Sequence, residues 1–108
     1  MEVKELVITE HALQTVRDEF EYLKENISTE FAHKLRDSFP VQVELILPFY
    51  LKHSECRFLP TKNKIYRNLI WGNYLIIYKI LEKEILVLVI FHSNQNLKKL
   101  KSFRRIKK

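Results

Sequence analysis

One cysteine, one glycine and three prolines in 108 residues leave this chain with few special devices. With Cys56 alone, no internal disulfide can form and no cysteine cluster can hold a metal. A lone thiol of this kind behaves as a small buried hydrophobe. A single glycine cannot build a glycine-rich phosphate loop or a serine-nucleophile elbow. His11, His33, His53 and His92 follow no metal-ligand spacing such as HExxH, so neither metal nor cofactor is expected. The longest apolar run, Ile85 to Phe91, has seven residues, against the roughly 20 that a membrane-spanning helix needs. The opening MEVKELVITE is charged and has no apolar signal core, which makes the cytoplasm the expected location and no membrane the expected partner. What remains is 46% apolar and 12% aromatic, the composition of one globular domain with short loops.

Charge is unevenly placed. Residues 1–51 carry a balance of −5 and residues 52–108 a balance of +11, giving the net +6. Such a split predicts an acidic helical half and a basic half made of sheet and tail. Either the basic half is simply solvated, or it is an electrostatic footprint for nucleic acid or an acidic protein.

Glu2–Ile8 alternates weakly and reads as a first strand, with Thr9 placed to cap a helix. Leu13, Val16, Phe20, Leu23 and Ile27 then recur at three- and four-residue steps, an amphipathic helix that Asn26 ends. Ser28 or Thr29 can cap a second helix that buries Phe31, Ala32, Leu35 and Phe39. Pro40 predicts a break near Ser38–Pro40, followed by a further helical stretch that Pro48 disrupts. Residues 52–63 read as a loop. Strands are expected at Lys64–Ile70, Tyr74–Leu81 and Ile85–His92, with Gly72-Asn73 supplying the positive-φ residues of a tight hairpin. The fold class is therefore α+β: a strand and helical hairpin on one face of a mainly antiparallel four-stranded sheet.

Two of these strands are apolar on both faces. Tyr74, Ile76 and Tyr78 point one way, Leu75 and Ile77 the other, and Ile85–Phe91 has no polar side chain. An antiparallel sheet usually shows water one face. Two helices cover only one side, so a partner or a second copy is expected over the other.

In this order and spacing, VITEHAL, Tyr66-Arg67, Gly72-Asn73-Tyr74, Tyr78 and Ile90-Phe91-His92 followed by Gln95-Asn96 resemble the RelE/ParE superfamily. These are the toxins of type II toxin–antitoxin, or plasmid stabilisation, systems. The resemblance spans residues 1–97 as a single toxin domain, with 98–108 as a basic tail that is helical or disordered. It implies a cytoplasmic toxin neutralised by a cognate antitoxin, in a heterotetramer or larger complex, with Trp71, Tyr74, Ile76 and Tyr78 as antitoxin contacts.

Two targets are possible within the superfamily. RelE-like members are metal-independent, ribosome-dependent mRNA endonucleases, and ParE-like members poison DNA gyrase. A nuclease needs cations and a proton-transfer group around an in-line phosphoryl transition state. The resemblance nominates Arg67 and His92 as catalytic, with Lys64, Arg67, Lys79, Gln95, Lys98 and Lys99 contacting the target. The fork of Arg67 suits a phosphate, and equally an anchoring or antitoxin-binding role. His92 could as well cap the sheet. After it come Ser93, Asn94, Gln95 and Asn96, which neither carry charge nor titrate near neutrality. Leu75 stands where many nuclease members have arginine, leaving Lys79 as the strand's cation. These departures favour a ParE-like or divergent member over the endonuclease. A non-toxic basic module that binds nucleic acid or protein is the reading from another class. Residues 98–108 hold seven Lys/Arg, no acid, and Leu100, Phe103 and Ile106 at every third place.

Overall fold

The computed structural model describes residues 4–56 and 59–92. In chain order these form β1 (Glu5–Ile8), α1 (Glu10–Asn26), α2 (Thr29–Glu44), a 3-10 turn (Leu47–Phe49), β2 (Ser54–Glu55), β3 (Tyr66–Trp71), β4 (Tyr74–Ile80) and β5 (Glu84–His92).

The helix starts follow from their caps. The Thr9 hydroxyl accepts from the Ala12 N–H at 3.1 Å, and the Ser28 hydroxyl accepts from the Phe31 N–H at 3.0 Å. Each satisfies one of the orphan donors of a first helical turn. Both helices lie on one face of the sheet and share its core: Ala12, Val16, Leu35, Phe39 and Val43 meet Leu69, Ile76, Tyr78, Ile85, Val87 and Ile90.

Pro40 does not break the helix; α2 runs through it unbroken to Glu44. An interior proline removes one backbone hydrogen bond and costs about 3 kcal/mol. The cost is met because Phe39 and Val43, on either side, are 3% and 1% exposed and reach the core only if the helix continues. Pro40 itself faces solvent. Pro40→Ala should therefore stabilise the protein by roughly 1–3 kcal/mol, read as a higher urea midpoint. A fall in that midpoint would show that the proline shapes the helix end.

The sheet has five strands where four were expected, in the order β1-β5-β4-β3-β2. The fifth is β2, two residues inside the expected loop, pairing Ser54 with Asn68 and Glu55 with Arg67. The β1–β5 pair is parallel and the other three are antiparallel. A parallel pair needs a long connection between its strands, and here α1, α2 and β2–β4 all lie between β1 and β5.

The second face of the sheet is not left for an outside partner. Cys56, Leu59, Tyr66, Ile77, Leu86, Leu88, Val89 and Phe91 form a second buried cluster, with Ile65 and Leu81 packed against it. Cys56 and Leu59 are 1% and 0% exposed and come from the connection between β2 and β3. The Cys56 N–H donates to the Tyr66 carbonyl at 2.8 Å, holding that connection to the sheet. The need for a partner over this face is thereby removed, because the chain buries these side chains itself.

Candidate functional site

Opposite β4, β5 carries a bulge. Ile77 pairs with Val89 and Tyr78 with Val87, so Leu88 is an extra residue. Leu88 and Val89 consequently both face the second cluster, and Ile90 returns to the helix side. Strict alternation from Ile85 would send Ile90 and His92 to the other face. Bulges re-aim side chains in this way, and here the bulge turns His92 towards Tyr74. Their ring centroids are 5.1 Å apart and edge-to-face.

The bulged strand needs partners on its outer edge, because β1 pairs it only as far as Val87. Side chains from the start of α1 supply them. The Thr9 hydroxyl donates to the Val87 carbonyl at 2.7 Å, and His11 Nδ1 donates to the Leu88 carbonyl at 3.0 Å. The Ile90 N–H donates to Thr15 Oγ1 at 3.1 Å. His11, which carried no assignment from sequence, is thus an edge-capping residue.

At this end of the sheet the β3–β4 hairpin turns through Gly72, whose φ of +58° is the left-handed conformation that glycine adopts freely. Trp71 and Tyr74 pair across the turn with ring centroids 5.8 Å apart. Together with His92 and the α2 residues Phe31, Lys34 and Ser38 they line a groove of about 440 Å³, floored by Leu23 and Leu35. The Tyr74 hydroxyl donates to Glu19 Oε1 at 2.8 Å, tying β4 to α1 beneath it. The groove therefore has an aromatic wall, an apolar floor, and one cation and one imidazole at its edge. A medium-sized apolar side chain with a neighbouring acid would fill it well.

Arg67 lies elsewhere. The pairing aligns Arg67 with Tyr78 and Val87, and Trp71 with Tyr74 and His92. Four residues of strand separate the two rows, about 13 Å at 3.3 Å per residue. The Arg67 guanidinium is committed to backbone: Nη1 donates to the Leu51 and His53 carbonyls at 2.6 and 3.1 Å, and Nε donates to the Lys64 carbonyl at 3.1 Å. Beside it the Tyr78 hydroxyl donates to the Tyr50 carbonyl at 2.7 Å, and the His53 ring meets the Tyr78 ring edge-on. This knot fastens residues 50–53 to the sheet. Arg67 and His92 thus stand about 13 Å apart along the strands, and the groove beside Trp71 takes in His92 but not Arg67.

The other nominated residues are dispersed. Ile76 and Tyr78 are fully buried under the helices. Trp71 and Tyr74 are half-buried at the groove. Lys79 holds its ammonium 5.4 Å from the centroid of the Tyr66 ring on the second face. Lys64 sits in a turn with φ +52° before β3. Gln95, Lys98 and Lys99 lie outside the described residues. Among the described residues no group of His, Cys, Asp or Glu could hold a metal, and no helix is long and apolar enough to cross a membrane.

Tyrosine hydroxyls ionise ordinarily near 10.0, and both Tyr74 and Tyr78 are raised well above it. Burial is the main cause in each; Glu19 adds to it at Tyr74, whereas Arg67 partly offsets it at Tyr78. A folded-state value above the unfolded one protects the fold below the unfolded value and loses that contribution as pH rises past it. Urea midpoints should therefore fall from about pH 10 upwards, and less steeply in a Tyr74→Phe/Tyr78→Phe double variant. Identical alkaline profiles for the two proteins would contradict this.

Comparison with known proteins places the architecture. No curated protein matches the chain. A solved structure described as the chromosomal ParDE toxin–antitoxin system from P. aeruginosa is similar at a TM-score of 0.67 and 18% identity, covering 83% of this chain and 96% of that one. At that identity the likeness shows the fold. The family model for the ParE toxin of the type II toxin–antitoxin system parDE matches residues 6–97. On that match, which spans most of its length, the chain belongs to the ParE toxin family.

Proposed function

We infer that this protein is a cytoplasmic ParE-type toxin that acts on DNA gyrase and is neutralised by an antitoxin made beside it. The observation that carries the choice of target is the separation of Arg67 from His92. A nuclease would need both around one phosphate, yet they stand about 13 Å apart along the strands, and Arg67 already serves three backbone carbonyls. Gyrase poisoning needs no such catalytic cluster in the toxin.

For the antitoxin, the groove beside Trp71 and Tyr74 offers a formed contact site, whereas Ile76 and Tyr78 are spent in the core. Induced expression in a host carrying an SOS reporter tests the target. DNA damage signalling without new 5′ ends in translated messages is the expected result. Cleaved messages without SOS induction would instead make the protein an endonuclease of the RelE kind.

A further inference from the structure

The outer face of α2 carries a pattern that the fold does not use. Phe31, Lys34, Ser38, Val41 and Leu45 recur at alternating steps of three and four, the spacing of a helix–helix seam. Their apolar members are exposed, Phe31 58%, Val41 57% and Leu45 45%, and they fall on one line of the helix rather than singly. The stripe is about 21 Å long at 1.5 Å per residue, and its first end, at Phe31, Lys34 and Ser38, runs into the groove beside Trp71.

The flanks of the stripe differ. On the core side lie Leu35, 4% exposed, and Gln42, both against the rest of the protein. On the solvent side Glu30, Asp37 and Glu44 recur every seven residues, all acidic and all exposed. Asp37 also accepts from Arg36 Nε at 3.2 Å, an exposed pair of little worth that leaves the carboxylate open to a second partner. In helix pairs the flanking row sets partner choice and orientation by charge.

We propose that this face of α2 is a docking seam for an amphipathic helix of a partner protein, with Lys or Arg in the row that meets Glu30, Asp37 and Glu44. A second copy of this chain is a poor occupant. Antiparallel self-pairing about Asp37 sets Glu30 against Glu44 and Asp37 against Asp37. Parallel self-pairing points the acidic row at Leu35, which is buried in the protein's own core, and at Gln42, neither of which carries a positive charge. Lys34, whose ammonium lies 6.0 Å from the Phe31 ring centroid, stands within the seam and favours a partner carboxylate at one place. One such polar position fixes register.

The test uses the full chain and two synthetic 21-residue helical peptides with leucines on the seam-facing positions. One carries lysines, its twin glutamates, in the flanking row. In fluorescence anisotropy the lysine peptide binds at least tenfold more tightly, and the gap narrows in high salt. The E30K/D37K/E44K variant reverses the preference. Val41→Asp weakens the lysine peptide at least tenfold with no change in the thermal midpoint, because the site is exposed. Equal binding of the twins, or an unreversed preference, overturns the proposal. So does a dimer in sedimentation that Val41→Asp dissolves, which would make a second copy the occupant. A peptide of residues 97–108 that binds as tightly as the lysine probe would overturn it in favour of the chain's own basic segment.

Discussion

Arg67→Ala should unfold the protein at a markedly lower temperature, whatever its effect on toxicity. The side chain gives three hydrogen bonds to the carbonyls of Leu51, His53 and Lys64. Each is charge-assisted, and each, if lost, leaves a carbonyl to find water or go without. At about 1 kcal/mol apiece the loss is roughly 2–3 kcal/mol, a fall in melting temperature of some 10–15 °C for a domain of this size. Arg67→Lys should recover only part of it, since an ammonium cannot span three carbonyls as the guanidinium fork does. Activity should fall in step with the folded fraction and return when the assay is cooled below the new midpoint. A variant that melts like the native protein and yet is inactive would restore Arg67 to a direct role at the target.

Leu59→Ala is the second large effect. Leu59 is 0% exposed and sits over the second face of the sheet, with Ile77, Leu86 and Leu88 in its cluster. Removing a buried leucine side chain costs about 2–5 kcal/mol, from lost burial and the cavity left behind. Dye binding to exposed apolar surface should rise as that cover loosens. A cost below about 1 kcal/mol would mean that the connection is not seated on the sheet, and the need for an outside partner on that face would return.

Local chemistry was legible and long-range pairing was not. Thr9 and Ser28 announce their helices because a hydroxyl before an apolar periodic run has one good use, capping the first turn. Gly72-Asn73 announces its hairpin because a tight turn demands positive φ, though of the two only Gly72 adopts it. Pro40 misled because propensity counts the lost hydrogen bond and not the burial of Phe39 and Val43 that outweighs it. The parallel return of β5 beside β1 involves residues nearly eighty positions apart, and β2 is two residues long, below what alternation can signal.

The bulge was hidden for a different reason. Ile85–Phe91 is apolar throughout, so the run has no phase from which an extra residue could be read. Yet Leu88 decides where His92 points. His92 ends the last strand as the apolar run implies, but Tyr74, Phe31 and Lys34, which line the groove with it, come from β4 and α2 and could not be counted from sequence. Nothing in the sequence marks Glu19 among the acidic residues of α1 as the one that accepts from Tyr74. Arg67 shows the converse: a residue type suited to phosphate was found holding backbone.

The most direct measurement of the central claim is a cleavage assay with purified protein, purified gyrase and supercoiled plasmid, run beside translating ribosomes on a defined message. Trapped double-strand breaks in the plasmid, with the message intact, are the predicted result. An intact plasmid with a cleaved message would contradict it.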